Sequence, residues 1–187
     1  MVHLAATYSA LTELITLPEQ SVEQRTIHAL KIAGGSAQSR RGILLIGGVH
    51  ARELVNPDLL VTFATRLLQA YTNGTGLSFG PVSYSKTLVK LIVDTVDLFI
   101  LPLVNPDGRA FAQSPAGDPM WRKNRAPNQG LPCKGVDLNR NYDFLWSSGI
   151  GTSGSACTDV FKGSTAFGEP ETRNYMEIGR ASCRERV

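Results

Sequence analysis

The chain has 187 residues, 42% of them hydrophobic and 19% charged, which suits one globular domain with a sizeable core. Its formal net charge is +3, but Arg180, Arg184, Arg186 and Glu185 all lie in the last segment; without 178–187 there are 16 basic and 15 acidic residues, a balance of +1. No basic stripe with interleaved aromatics appears, so no nucleic-acid partner is expected, and no apolar run is long enough to span a bilayer.

In chain order, Met1-Val2-His3-Leu4-Ala5-Ala6 lacks the charged and apolar segments of a signal peptide. Leu11, Leu14 and Ile15 predict a short helix over Tyr8–Leu17. Alternation predicts a strand over Thr26–Ile32, with His28 on its polar face as a solvated histidine. Gly34–Arg41 reads as a polar turn, and Ile43–Gly47 as a buried strand bounded by glycines. Leu60, Phe63, Ala64, Leu67 and Leu68 at helical spacing predict a helix over Pro57–Tyr71, with Asn56 as its cap. Asn73–Pro81 reads as a Gly-rich loop, Lys86–Val96 as a helix and Asp97–Val104 as a return to the sheet. Asn105-Pro106-Asp107-Gly108 has turn composition. Ala110–Pro132 is a long polar connection, a kind of loop that is usually functional. Gly135–Leu138 reads as a short strand, Ser147–Ser155 as a Gly/Ser-rich loop, and Pro170–Met176 begins a helix. Strands alternating with helices predict an α/β sheet covered on both faces.

His50 and Glu53 follow the Ile43–Gly47 strand directly. Carboxyl ends of strands are where α/β sheets bind ligands. Residues three apart face one ion if the turn is helical. An imidazole and a carboxylate are suitable zinc ligands, although a strand-end histidine beside a surface carboxylate would look the same. Arg122 and Arg125 read equally as a solvated pair, and Asp137-Leu138-Asn139-Arg140 as a turn with Asx chemistry.

Taken together, His50-Ala51-Arg52-Glu53, Asn105-Pro106-Asp107-Gly108, Trp121-Arg122-Lys123-Asn124-Arg125 and Gly135-Val136-Asp137-Leu138-Asn139-Arg140-Asn141 resemble, in order and separation, the zinc carboxypeptidases of the carboxypeptidase A type. The resemblance runs from about Arg25 to about Met176. It implies a three-layer mixed β-sheet flanked by helices and a Zn2+ ion held in part by His50 and Glu53. It also implies Asp137 as hydrogen-bond partner of the His50 ring, Arg122 as stabiliser of the oxyanion, and Asn139 with Arg140 as the clamp for the substrate's terminal carboxylate. Arg52 is placed along the path of the substrate. Members often carry a disulfide bracketing this stretch, which would pair Cys133 with Cys157; two reduced cysteines are the alternative. The implied partner is a peptide or protein with a free C-terminus, acted on by a monomeric, secreted enzyme with no membrane partner.

The resemblance also implies a second His ligand, a Tyr and a general-base Glu further downstream. The only histidines here are His3, His28 and His50, so the fold is expected to be incomplete at its C-terminal end and the chain inactive as it stands. Ile178–Val187 shows no apolar periodicity and can be read back as a short-read sequencing adapter translated in frame. The expected organisation is therefore a carboxypeptidase-like domain over 1–177 and a non-native tail over 178–187. Two other functions are consistent with these residues: a non-catalytic module binding peptide C-termini, and a related zinc amidase or cell-wall peptidase.

Overall fold

The computed structural model describes residues 1–37 and 40–183. Its centre is a four-stranded mixed sheet of β1 (Thr12–Thr16), β2 (His28–Ile32), β3 (Arg41–Ile46) and, in chain order the last, β6 (Val96–Leu101). The strand order is β1-β2-β6-β3, with β3 parallel to β6 and the other pairs antiparallel. Between β3 and β6 the chain forms α2 (Val55–Asn73), a small hairpin of β4 (Leu77–Phe79) and β5 (Val82–Tyr84), and α3 (Lys86–Thr95). Helix α1 (Val2–Thr7) precedes β1, while α4 (Pro106–Ala112) and α5 (Pro170–Cys183) follow β6.

Side chains alternate across a strand, so one strand feeds two cores. Leu30, Ile32, Leu98 and Ile100 face one way and pack against Ala64, Leu67 and Leu68 of α2 and Val89 and Val93 of α3. Ala29, Phe99 and Leu101 face the other way and pack with Leu138 and Ile178. The three-layer, two-sided sheet expected from the sequence is present. Asp97, buried at the start of β6, is held by Lys31 at 2.9 Å and by Arg40.

Several local expectations are corrected. Tyr8–Leu17 is not a helix: Thr12–Thr16 pairs with β2 in the register Thr12↔Ile32 to Thr16↔His28. Threonine and isoleucine suit the pleated edge, and tertiary pairing overrides the helical spacing of Leu11, Leu14 and Ile15. The strand at 43–47 exists but is not buried. It lies at the sheet edge, where Ile43 is 45% and Ile46 37% exposed. Asn56 does not cap α2, which begins at Val55 with no side-chain cap. The Gly-rich stretch after α2 holds the β4/β5 hairpin. Gly135–Leu138 forms no strand; Leu138–Arg140 is instead a 3-10 turn. The predicted turn at 34–41 includes Gln38 and Ser39, which lie outside the described residues. Helix α5 continues past Met176 to Cys183 and buries Ile178. Residues 184–187 of the expected tail lie outside the described residues.

Candidate active site

The Asn105-Pro106-Asp107-Gly108 motif is a capped helix start rather than a free turn. The Asn105 side chain accepts from Gly108 N at 2.9 Å, and Pro106 opens α4, where its missing N–H costs nothing. The same Asn105 amide donates to Val49 O at 3.2 Å and Lys123 O at 3.1 Å, tying together the two segments that carry His50 and Arg122. Asp107 is buried. It accepts from Ser21 Oγ, Glu23 N and Arg25 Nη1 at 2.6–2.7 Å, which anchors the loop before β2.

After β3 the chain turns at Gly48, whose φ is +60; a Cβ there would lie 2.8 Å from the Leu103 side chain. The tight turn delivers His50 to the end of the sheet, where Ala51 N donates to Arg122 O at 3.0 Å. His50 Nδ1 sits 2.7 Å from Glu53 Oε1. Its Nε2 faces Asp137 Oδ1 at 3.3 Å, without the alignment of a hydrogen bond and with no other partner among the described residues. Contact with Asp137 first, and with Glu53 to a smaller degree, raises the imidazole pKa against the opposing effects of burial and of Arg122. Asp137 is fully buried. Burial alone would raise its carboxyl, but His50 and Arg122 hold it below the ordinary range.

With the ring proton on Nε2, the side of Asp137, the Nδ1 lone pair and the Glu53 carboxylate would converge as two acceptors on one point. Two acceptors 2.7 Å apart need a proton or a cation between them. These donors fit zinc in chemistry, and the outer nitrogen of the ring faces the Asp137 carboxylate at 3.3 Å. They are two donors only: no group of three His, Cys, Asp or Glu residues suitable for a metal occurs among the described residues.

The other sequence-derived residues divide into two sets. Asn139 and Arg140 line a cleft of about 750 Å3 together with His50 and Glu53. Arg140 is steadied by its own Nε donating to Gly151 O at 2.8 Å and Nη1 to Asn139 O at 2.9 Å. Arg122 does not line the cleft; its Nε and Nη2 both reach Asp137 Oδ2 at 3.1 Å. Arg52 also points elsewhere, to Met120 O and Asp159 Oδ2, both at 3.2 Å.

The sequence reading missed the aromatic wall of the cleft. Tyr142, Trp146 and Tyr175 line it, and Tyr142 meets Tyr175 edge-to-face at 5.3 Å and Phe167 at 5.8 Å. Burial raises the Tyr142 hydroxyl pKa strongly. The available signal was its position directly after Asn139-Arg140-Asn141. Cys133 and Cys157 are bonded, so the bridge left open by the sequence is present. The stretch it closes carries Asn139, Arg140, Tyr142 and Trp146.

A paired imidazole and carboxylate at a strand end thus share an open cleft with a guanidinium, on a mixed α/β sheet. The chain belongs to the zinc carboxypeptidase family, whose sequence profile matches residues 1–186. It is 38% identical over 158 residues to metallocarboxypeptidase A of Arthroderma otae, an alignment covering 84% of this chain and 34% of the relative. Carboxypeptidase A4 of Mus musculus is 30% identical over 175 residues, covering 94% of this chain and 38% of that protein. Among solved structures, thrombin-activatable fibrinolysis inhibitor superposes with a TM-score of 0.83 at 25% identity, covering 98% of this chain and 42% of that one. The carboxypeptidase A of Helicoverpa armigera gives 0.79 at 29% identity, covering 100% and 41%. The chain thus spans about a third of the length of the curated relatives it matches.

Proposed function

We propose that the full-length enzyme to which this chain belongs hydrolyses the last peptide bond of peptides and proteins with a free C-terminus, in a zinc-dependent reaction. The observation that carries this reading is the cleft in which His50 and Glu53 face Asn139 and Arg140, a metal-type donor pair beside a carboxylate-type clamp. Zinc, when bound, supplies Lewis-acid polarisation of the carbonyl and an acidified water. His50 Nδ1 and Glu53 would hold it, while Asp137 keeps the ring turned the right way. The guanidinium of Arg140 grips the terminal carboxylate through paired N–H donors, and Asn139 adds a further polar contact. Arg122, whose guanidinium rests on Asp137 Oδ2, is the positive donor for the carbonyl oxygen as it gains charge. Arg52 contacts the substrate chain further from the scissile bond. The protein acts as a monomer and is secreted, the second part supported by the Cys133–Cys157 bridge, which suits an oxidising compartment.

The chain as it stands, with two zinc-binding side chains, is inactive; residues 1–177 form part of the catalytic domain and 178–187 a non-native tail. A long DNA read across the codons for Met176–Val187 tests the tail: an uninterrupted native frame through these codons would refute it. For function, release of the C-terminal residue from a peptide by this chain would refute the inactive reading, and zinc retained at one equivalent after dialysis would refute an incomplete metal site. Titration with a short free-acid peptide and its C-terminal amide tests the clamp. The acid is expected to bind at least about tenfold more tightly, with Arg140→Lys removing most of the difference. Equal binding of acid and amide would sink the carboxypeptidase reading and favour an amidase.

A further inference from the structure

We propose that Asn124 is a positioning residue for the site: it locks the segment carrying Arg122 to the segment carrying Asp137, and both to the start of α5. The inference rests on the roles of Arg122 and Asp137 given above and assigns what holds them in register.

Asn124 is fully buried, and both ends of its side-chain amide are engaged. Its Oδ1 accepts from Val136 N at 2.8 Å and Ala126 N at 3.2 Å. Its Nδ2 donates to Glu169 Oε2 at 2.7 Å and Glu171 Oε2 at 3.2 Å. The backbone repeats the link, with Asn124 N donating to Val136 O at 3.0 Å and Asn124 O accepting from Trp121 Nε1 at 3.1 Å. Arg122 lies two residues before this hub, and Asp137 directly follows Val136. A shift of either segment therefore opens the contact of Arg122 with Asp137 Oδ2.

The two segments approach so closely that only glycine fits at 135. Its φ is +85, and a Cβ would lie 2.6 Å from Asn124 O. At the far side, Glu169 N donates to Asn141 Oδ1 at 3.1 Å, so the start of α5 also holds the residue next to Arg140. No other side chain of this size offers two acceptor lone pairs and two donors in one plane. An aspartate in place of Asn124 would set a carboxylate oxygen against two buried carboxylates, and a leucine would take away the partner of Val136 N, Ala126 N and the Oε2 atoms of both glutamates.

The test uses the full chain, labelled with 15N, and reads the side-chain Nε–H of Arg122, assigned by its loss in Arg122→Lys. In the parent this proton is expected to be protected by its bond to Asp137. Asn124→Asp should leave a folded protein by circular dichroism yet speed exchange of the Arg122 proton by about tenfold or more. Asn124→Asp combined with Glu169→Gln and Glu171→Gln inverts donor and acceptor across the contact and should restore protection to within about twofold. A folded Asn124→Asp with unchanged Arg122 protection would overturn the assignment. If Asn124→Asp alone does not fold, the triple variant decides: folded with a protected proton it supports the assignment, and folded without one, or unfolded, it overturns it. The readout needs neither zinc nor substrate. Failure of the peptidase reading would therefore leave it standing, and its own failure would leave the peptidase reading standing.

Discussion

At the scale of single residues, Asp137 carries more than any other side chain in the site. It is completely buried, faces His50 Nε2, accepts two contacts from Arg122 and receives Asn139 N at 3.0 Å. Removing it leaves a half-buried guanidinium and a backbone donor without their partner. Asp137→Ala is expected to lose about 3–5 kcal/mol of stability, measured as a lower denaturation midpoint. A change below about 1 kcal/mol would mean that the group is solvated after all. Glu171 makes the opposite contribution. Burial first, and the neighbouring Glu169 charge second, push its carboxyl from 4.5 up to about 7, against the donors from Val22 N and Asn124. The folded state therefore binds this proton more tightly than the unfolded chain. The stabilisation is complete below about pH 4.5, declines as pH rises towards about 7, and is gone above it. The loss across that window is on the order of 3 kcal/mol at most, and Glu171→Gln should flatten it in melts taken at successive pH values. An unchanged pH profile in Glu171→Gln would rule this group out.

At the scale of elements, two strands of similar apolar character have different fates. β6 has a neighbour on each side and packed layers above and below, and its Ile100 is completely buried. β3 has a partner on one side only among the described residues, so its isoleucines reach solvent. Ile100→Ala is expected to cost about 2–5 kcal/mol through lost contacts and a residual cavity. Ile43→Thr should change stability by about 0.5 kcal/mol or less, as at other exposed positions. Equal costs in urea denaturation would contradict the edge placement of β3. The contrast explains one misreading: an apolar run announces a strand, but its position within the sheet depends on neighbours the run does not encode. The missed β1 has the same cause, since its conformation is settled by pairing with β2 and not by local spacing.

At the scale of the whole molecule, the site is assembled from segments far apart in sequence, and cross-links hold them where regular structure is sparse. Between Ala112 and Pro170 the described chain has only short 3-10 turns and the isolated bridge Ser153↔Phe161, yet it carries Arg122, Asp137, Asn139 and Arg140. The Cys133–Cys157 bond spans a sequence separation of 24 within that region. Reducing it should remove about 3 kcal/mol by the loop-entropy estimate and lower the melting temperature. The effect should be reproduced by Cys133→Ser with Cys157→Ser. No change in melting temperature would mean that the buried asparagines hold this region without the bridge.

The alternation of apolar strands and amphipathic helices was legible in the sequence, because burial on one face imposes a period that local reading detects. The proposed ligands His50 and Glu53 stood out by residue type and short spacing, whereas Asn139 and Arg140 were singled out only by the family resemblance. The sequence by itself determined the α/β class, the family and the residue types available for chemistry. Tertiary structure alone decided that β3 forms an edge and that Arg122 rests on Asp137. It also decided that Asn105 and Asn124 join the segments of the site, and that Tyr142 and Tyr175 form its wall. Each of these depends on which backbone groups and side chains meet across long separations, and hydrogen bonds between distant segments leave no periodic trace in the chain.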